Sequence, residues 1–147
     1  MFSPASRAKN RLRLALCGPT GSGKTYTAIL LAHALVEDGQ RIAFIDTEHG
    51  SAAKYVGTKV EGHVWAWDVV ELENYSPARY VDAITAAAEA GYEVLIIDSL
   101  SHAWVGVGGA LDQVDNSREF NKFAAWRGVT PQHNALVESM VSVRAVP

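Results

Sequence analysis

Apolar residues are concentrated in short runs that are separated by glycine-containing and polar segments. Four of these runs are rich in aliphatic, β-branched or aromatic residues and predict β-strands at 12–17, 41–48, 63–72 and 94–100. The last run begins with four consecutive aliphatic residues, VLII, instead of alternating between apolar and polar positions. Such continuity is typical of a strand that is buried on both faces of a sheet.

Helical patterns lie between these strands. Apolar residues recur at helical spacing over 24–36, and Gly39 predicts the end of that helix. A second helix is expected to start with Ser76 as its N-cap and Pro77 at its first position, and to end at Gly91. The alternation of strands and helices predicts an α/β fold in which a parallel β-sheet is flanked by helices.

The pattern changes after residue 100, where no further strand is predicted. Gly106, Gly108 and Gly109 predict a mobile connecting loop. Residues 110–126 and 131–145 then have helical patterns. The predicted order of elements therefore ends in helices.

Composition and charge restrict the class of protein. The chain has 147 residues, of which 48% are hydrophobic, and this fits one globular domain over 11–147 after a flexible N-terminal arm at 1–10. Its formal net charge of −3 argues against a strongly basic surface for duplex nucleic acid. No apolar run is long enough to span a membrane or to form a secretory signal, so we expect a cytoplasmic protein without a membrane partner. The single cysteine, Cys17, excludes an internal disulfide and is expected to be a buried, inert thiol.

A glycine-rich segment, GPTGSGKT, directly follows the first predicted strand and precedes the first predicted helix. It fits the pattern G-x-x-x-x-G-K-[ST], in which glycines allow phosphate oxygens to approach the backbone N–H groups at a helix N-terminus. A flexible loop is the alternative interpretation. The predicted phosphate-binding residues are Gly18, Pro19, Thr20, Gly21, Ser22, Gly23, Lys24, Thr25 and Tyr26.

Within this segment the residue types predict separate roles. Lys24 is expected to reach the β- and γ-phosphates of a nucleotide, and the Thr25 hydroxyl to ligate Mg²⁺. Asp98 ends the strand at 94–100, and ligands of open α/β sheets lie beyond the carboxyl ends of the strands. We therefore expect Asp98 to hold Mg²⁺, with a capping role at the start of the next loop as the alternative.

The strand at 41–48 also ends in acidic residues. Asp46 and Glu48 are expected at the same sheet edge, where one of them could orient or deprotonate an attacking water. Solvated loop acids are the alternative. His49 is interpreted as a satisfied loop residue, because the histidines and the cysteine have no metal-ligand spacing that would indicate zinc.

The ordered set GPTGSGKT, FIDTEHGS and VLIIDSLSHAW resembles the RecA-like P-loop ATPases, particularly their small phage and prophage members. The resemblance continues into NKFAAWRGVTPQHNAL at 121–136. It implies that Gly23, Lys24 and Thr25 bind phosphate and Mg²⁺, that Glu48 is the catalytic glutamate, and that Asp98 is the Walker B aspartate. Lys24 and Glu48 would then be the catalytic residues.

The same resemblance implies an ATPase that converts ATP and water to ADP and phosphate in phage-type DNA recombination or single-strand annealing. ATP and Mg²⁺ would be its cofactors, and single-stranded DNA and further copies of the chain its partners, in a bacterial or phage-infected bacterial cell. The family core continues into a further strand with a polar sensor residue and DNA-binding loops, so the resemblance implies that 11–147 is an incomplete core. Hydrolysis would then depend on the part of the family core that lies outside 11–147.

Two other functions stay open at this point. A P-loop phosphotransferase, such as a small kinase, would need a lid with arginines over the nucleotide, and no arginine-rich lid segment follows Asp98. A nucleotide-binding fragment that does not hydrolyse ATP would share the same motifs. The nucleotide base has no motif in this sequence.

Several remaining residues have both a functional and a structural interpretation. Lys122 and Arg127 could act across a subunit interface, although a solvated helix face is the expected role. Four tryptophans could stack on bases, but aromatic residues are commoner in the core or interfaces of α/β proteins. These tryptophans are Trp65, Trp67, Trp104 and Trp126.

Overall fold

A computed structural model of the protein describes residues 11–36 and 41–142. Its strands are β1 (Ile42–Asp46), β2 (Lys59–Val60), β3 (His63–Val64), β4 (Asp68–Glu71) and β5 (Val94–Asp98). Its helices are α1 (Lys24–Leu35), α2 (Pro77–Glu89), α3 (His102–Val105), α4 (Ala110–Asp115) and α5 (Lys122–Ser142). The predicted alternation of strands and helices is therefore confirmed.

Three strands form a parallel sheet in the order β4–β1–β5. Asp46, the last residue of β1, is in register with Glu71 on one side and with Asp98 on the other. The carboxyl ends of all three strands therefore meet at one edge of the sheet. This edge is where an open α/β sheet places its ligands.

The sheet separates two apolar layers, because successive side chains of a strand point to opposite faces. Ile42 and Phe44 of β1 pack with Ile29 of α1 on one face. Ile45 packs with Ile84 of α2 and Leu136 of α5 on the other. All five residues of β1 are buried, as expected for a central strand covered by helices on both sides.

Helices α1 and α2 begin where the sequence predicts. α1 starts at Lys24, and α2 starts at Pro77 with Ser76 at the N-cap position. Gly91 follows α2 with a φ of 78°, a left-handed conformation that suits glycine at a helix end. Gly39, the predicted end of α1, lies outside the described residues, as do the predicted arm at 1–10 and the chain beyond residue 142.

The strand predicted at 12–17 is wrong, since these residues have no regular secondary structure. No described strand pairs with them, and Leu12 and Leu14 are exposed. The Arg13 guanidinium instead donates hydrogen bonds to the carbonyls of Met140 and Val141 at the end of α5, at 3.0 and 2.9 Å. The segment has an apolar pattern, but no described strand lies beside it to accept and donate the backbone hydrogen bonds that a strand requires. Cys17 is exposed for the same reason, which corrects the prediction of a buried thiol.

The run predicted as one strand at 63–72 is two short strands, β3 and β4. β3 turns back on β2 through Glu61 and Gly62, whose φ values of 49° and 87° fit a two-residue hairpin turn. Trp65 follows β3 and is buried in the core beside α1. The chain therefore leaves the hairpin to bury this indole before it joins the main sheet as β4.

The helices after residue 100 have other bounds than predicted, since α4 is shorter and α5 is longer than the corresponding patterns. The pattern at 110–126 is broken between α4 and α5, and Pro131 lies inside α5 instead of starting a helix. Residues of α4 and α5 form a third small core cluster around Val114 and Val129. None of the described helices is long and apolar enough to cross a membrane.

Candidate functional site

The glycine-rich segment between residue 18 and α1 is a tight loop at the open edge of the sheet. Ser22 N–H donates to the Pro19 carbonyl at 3.2 Å, and this bond closes the turn. Gly21 and Gly23 have φ values of 79° and 85°, which residues with a side chain adopt only at a cost in strain. Since α1 begins directly after Gly23, its first N–H groups and the positive end of its dipole lie at this loop.

The loop holds the amine of Lys24. Lys24 Nζ donates hydrogen bonds to the carbonyls of Gly18 and Pro19, both at 3.0 Å. Neither of the two ion pairs found among residues 11–36 and 41–142 includes Lys24. Its positive charge is therefore held inside the loop without a carboxylate partner, which suits an anionic ligand.

The first turn of α1 contacts the end of β5 through two oxygen-bearing side chains. The Thr25 hydroxyl donates a hydrogen bond of 2.5 Å to Oδ2 of Asp98, and the Asp98 side chain is buried. A hydroxyl and a carboxylate are hard oxygen ligands of the kind that Mg²⁺ prefers. Thr25 and Asp98 therefore fit a magnesium site beside the loop, and they could hold the ion together with phosphate oxygens.

Asp46 has a structural role at this edge. Its Oδ1 accepts the N–H of Glu48 at 2.7 Å, and its Oδ2 accepts the N–H of Gly50 at 2.8 Å. The residue is only 2% exposed. Because both carboxylate oxygens are used inside the turn, Asp46 is not available to activate water, and only one of the two acids predicted for that task is left.

That acid, Glu48, has an exposed side chain, which makes no hydrogen bond within the described part of the chain. Its backbone lies near the end of β5, since Thr47 N–H donates to the Asp98 carbonyl at 2.9 Å. The structure thus brings the loop, the Thr25–Asp98 pair and Glu48 to the same edge. A carboxylate in this position can accept a proton from a water molecule.

A buried polar cluster, not predicted from the sequence, lies directly behind Glu48. The Thr47 hydroxyl, in a residue that is 1% exposed, accepts the N–H of Ser99 at 2.7 Å and donates to the Ser99 carbonyl at 3.1 Å. Its oxygen also lies 2.8 Å from Nδ1 of His102. The sequence feature that could have indicated this cluster is the polar residues at the ends of two adjacent parallel strands. They are DTEH at the end of β1 and DSLSH at the end of β5.

Two tyrosines complete this cluster. The Tyr75 ring stacks on His102 with a centroid distance of 4.9 Å, and its hydroxyl lies 3.3 Å from Nε2 of His49. The Tyr80 hydroxyl donates to the Ser99 carbonyl at 3.1 Å. Burial raises the pKa of Tyr80 to about 12, so this hydroxyl stays protonated and continues to donate near neutral pH.

The four tryptophans lie in two separate groups. Tyr26 is partly exposed beside the loop, with its ring centroid 5.2 Å from that of buried Trp65, while Trp67 packs against the same core cluster. Trp104 and Trp126 stack on each other, with a centroid distance of 5.5 Å, in a groove that Thr130 and His133 also line.

The two cations singled out in the sequence lie on α5. Lys122 forms an ion pair of 2.9 Å with Asp115, and both side chains are exposed. Arg127 is also exposed. Their positions on the helix surface fit the expected solvated face.

Comparisons with known proteins identify relatives of this sequence. The sequence profile of the family described as AAA domain matches residues 10–145. Signal recognition particle receptor FtsY of Mycobacterium leprae (strain TN) is 35% identical over 106 residues, which are 69% of this chain and 24% of the relative. The FtsY of Mycobacterium tuberculosis (strain ATCC 25618 / H37Rv) is 36% identical over 106 residues, or 69% of this chain and 25% of the relative.

The chain therefore spans about a quarter of the length of these curated relatives. No solved structure was found to match it significantly. The family match covers all of the described residues, including the glycine-rich loop and both acidic strand ends. The protein accordingly belongs to the AAA domain family, as a nucleotide-binding P-loop NTPase domain with an α/β fold.

Proposed function

We propose that the protein hydrolyses ATP at the loop formed by residues 18–25 and that hydrolysis serves DNA recombination or single-strand annealing of the phage type. The observation that carries the catalytic part is the contact between Thr25 and Asp98, with Lys24 in the adjacent loop. Glu48, an exposed carboxylate, lies at the same sheet edge. Separate groups are thus available for each ligand: the loop with Lys24 for phosphate, Thr25 and Asp98 for the metal, and Glu48 for water.

The loop and Lys24 bind and orient the triphosphate. Backbone N–H groups at the start of α1 and the Lys24 ammonium stabilise the negative charge that develops on the phosphate oxygens. Lys24 exchanges its two carbonyl acceptors, Gly18 and Pro19, for phosphate oxygens when the nucleotide binds. Mg²⁺, when held by Thr25 and Asp98, supplies further positive charge to the β- and γ-phosphate oxygens.

Glu48 orients the attacking water and accepts its proton. The water oxygen forms a bond to the γ-phosphorus while the bond from that phosphorus to the bridging oxygen of ADP breaks. The Glu48 carboxylate is exposed and unpaired among the described residues, so it is accessible to water. Asp46 keeps the Glu48 backbone in place through the hydrogen bond to its N–H group.

The role in DNA recombination and the oligomeric state rest on the resemblance of the three motifs to phage and prophage RecA-like ATPases. Single-stranded DNA is the proposed partner that stimulates turnover, and further copies of the chain would assemble along it. ATP is the proposed nucleotide. Comparison of ATP with GTP in the same assay tests that choice directly.

Phosphate release at steady state, measured with and without single-stranded DNA, tests the proposal. Glu48→Gln should keep Mg·ATP affinity but lower kcat about 10²-fold or more, since general-base catalysis contributes on that scale. Glu89→Gln, at an exposed position on α2, is the matched control and should keep the wild-type rate.

Other results would assign another activity. Release that is equal in wild type and Glu48→Gln would contradict the hydrolytic role of Glu48. Turnover that requires a small-molecule acceptor would indicate a phosphotransferase. Tight binding without any release would indicate a nucleotide-binding domain that does not hydrolyse ATP.

A further inference from the structure

We propose that Tyr75 and His102 are positioning residues that hold Glu48 in the geometry needed for hydrolysis. This inference rests on the proposed ATPase function and extends it to two residues outside the loop at 18–25. They act through the backbone of residues 46–50, which carries Glu48. The contacts on both sides of Glu48 support this assignment.

The Glu48 backbone is fixed from three directions. Asp46 accepts the N–H groups of Glu48 and Gly50, which closes the turn around it. Thr47, the residue before it, bonds Ser99 just after β5 through its side chain, and its N–H group donates to the carbonyl of Asp98, the last residue of β5. His49, the residue after it, contacts the Tyr75 hydroxyl.

His102 completes the hydrogen bonding of Thr47. The Thr47 hydroxyl has one proton, which it donates to the Ser99 carbonyl, and one lone pair accepts the Ser99 N–H. The second lone pair is 2.8 Å from Nδ1 of His102. This arrangement assigns the proton to Nδ1, so that His102 donates to Thr47. An apolar residue at 102 would leave that buried lone pair without a donor.

Tyr75 holds both His102 and the turn. Its ring, in a residue that is 7% exposed, stacks on the imidazole and fixes its orientation. Its hydroxyl contacts His49 Nε2 at 3.3 Å and the Thr47 carbonyl at 3.5 Å. Its N–H group donates to the Val107 carbonyl at 2.9 Å, which anchors Tyr75 to the loop after α3. Tyr75 thus connects both neighbours of Glu48 to the segment that follows β5.

The position of the Glu48 carboxylate therefore depends on contacts made by its neighbours, because its own side chain has no partner among the described residues. A displacement of about 1 Å at a reacting group can cost about 10²-fold in rate. Among the described residues, no hydrogen bond joins Lys24, Thr25 or the Asp98 carboxylate to Tyr75 or His102. We therefore expect loss of these contacts to lower kcat and to leave nucleotide affinity unchanged.

The experiment compares His102→Leu, His102→Asn and Tyr75→Phe with wild type in full chains. His102→Leu should lower kcat about tenfold, within the range for a misplaced group. His102→Asn should recover a large part of the loss, because its side-chain N–H can reach the Thr47 oxygen. Tyr75→Phe keeps the ring and loses the hydroxyl, so its loss should be smaller. Tyr92→Phe, whose hydroxyl bonds Asp68 at the far end of the sheet, is the control and should keep kcat.

A double-mutant cycle with Glu48→Gln distinguishes positioning from a general loss of stability. If His102 acts through Glu48, His102→Leu should lower kcat in the wild-type background and have no further effect in the Glu48→Gln background. The Kd for Mg·ATP should stay within about twofold throughout. A structural role alone would lower the Tm and the active fraction without a change in kcat per nucleotide-binding site.

Three results would overturn the inference. These are additive losses in the cycle, a wild-type kcat in His102→Leu, and equal losses in His102→Leu and His102→Asn. If the proposed ATPase function itself is wrong, the result differs from these three, because wild type then releases no phosphate from ATP under any condition. That outcome would remove both proposals, whereas active wild type with an unaffected His102→Leu variant would remove only this one.

Discussion

The Thr25 hydroxyl donates a hydrogen bond of 2.5 Å to Oδ2 of Asp98, although 73 positions separate the two residues in the chain. The bond joins the first turn of α1 to the carboxyl end of β5. Because α1 begins directly after Gly23, this pair lies beside the glycine-rich loop, where a phosphate-bound cation would need oxygen ligands. The contact is therefore the structural basis of the proposed metal site.

Asp98→Asn should weaken the dependence of nucleotide binding on Mg²⁺. The amide can still accept the Thr25 hydrogen bond, but it lacks the charge that attracts the cation. Loss of an outer partner of a metal costs about 10- to 100-fold in affinity, so loss of this carboxylate should cost at least about tenfold. Titration of Mg²⁺ into the ATP-bound protein measures the effect. Asp115→Asn, at an exposed position, should match wild type, and an unchanged Mg²⁺ titration for Asp98→Asn would argue against the metal role.

Asp46→Asn should destabilise the fold without removing a catalytic group. Both carboxylate oxygens accept backbone N–H groups, and the amide would place an N–H donor against one of them. An unsatisfied buried group costs about 1–3 kcal/mol, and more for a charged one, so we expect a loss in the free energy of unfolding of at least that size. Urea denaturation measures it, with Asp82→Asn on the exposed face of α2 as control. Equal stability of the two variants would contradict the structural role of Asp46.

Gly106 is required by close packing against Tyr75. A Cβ at this position would lie 2.5 Å from Cδ2 of Tyr75 and 2.8 Å from the His102 carbonyl oxygen. Gly106→Ala should therefore destabilise the protein by about 1–3 kcal/mol, the usual cost of overpacking.

Gly128 in α5 provides the matched control, because a Cβ there would meet no atom within 4 Å. Gly128→Ala should stabilise the protein by about 0.5–1 kcal/mol, since alanine favours the helix. Thermal unfolding of both variants tests the pair, and a Tm that moves in the same direction in both would be inconsistent with the described packing.

Tyr80 should contribute to stability in a pH-dependent way. Burial raises its pKa to about 12, above the value of about 10 for an unfolded tyrosine. Stability from a raised pKa is fully present below pH 10 and is lost as the pH rises through 12. The difference in unfolding free energy between wild type and Tyr80→Phe should therefore shrink between pH 10 and pH 12. Denaturation at several pH values measures it, with Tyr55→Phe on the other side of the sheet as control. A constant difference would exclude the titration of Tyr80 as its cause.

The central elements of the fold were predictable because their signals are local. The apolar runs of β1 and β5, the Ser76–Pro77 helix start and the loop before α1 each lie within a few adjacent residues. The segment at 12–17 has an equally strong local pattern, yet no described strand pairs with it. A strand depends on hydrogen bonds to a distant segment, and a local pattern does not contain that information.

The candidate site was predictable to a similar extent. Lys24, Thr25, Glu48 and Asp98 follow from motifs and from their position at strand or helix ends. The roles of Thr47 and His102 could not be predicted, because their contact joins residues 55 positions apart. The residue types alone left Asp46 and Glu48 as equal candidates, and the family resemblance favoured Glu48. The physical reason required the structure, since the hydrogen bonds of the turn distinguish a buried acceptor from an exposed acid.

Calorimetric titration of Mg·ATP into wild type and Lys24→Ala is the most direct test of the central claim, which is that the loop at 18–25 binds the phosphates. Wild type should bind with measurable heat, and Lys24→Ala should bind at least about tenfold more weakly, since a charge-assisted hydrogen bond contributes about 1.5–3 kcal/mol. Lys54→Ala, at an exposed position outside the loop, should match wild type. Equal affinity of wild type and Lys24→Ala, or no binding by wild type, would contradict the account.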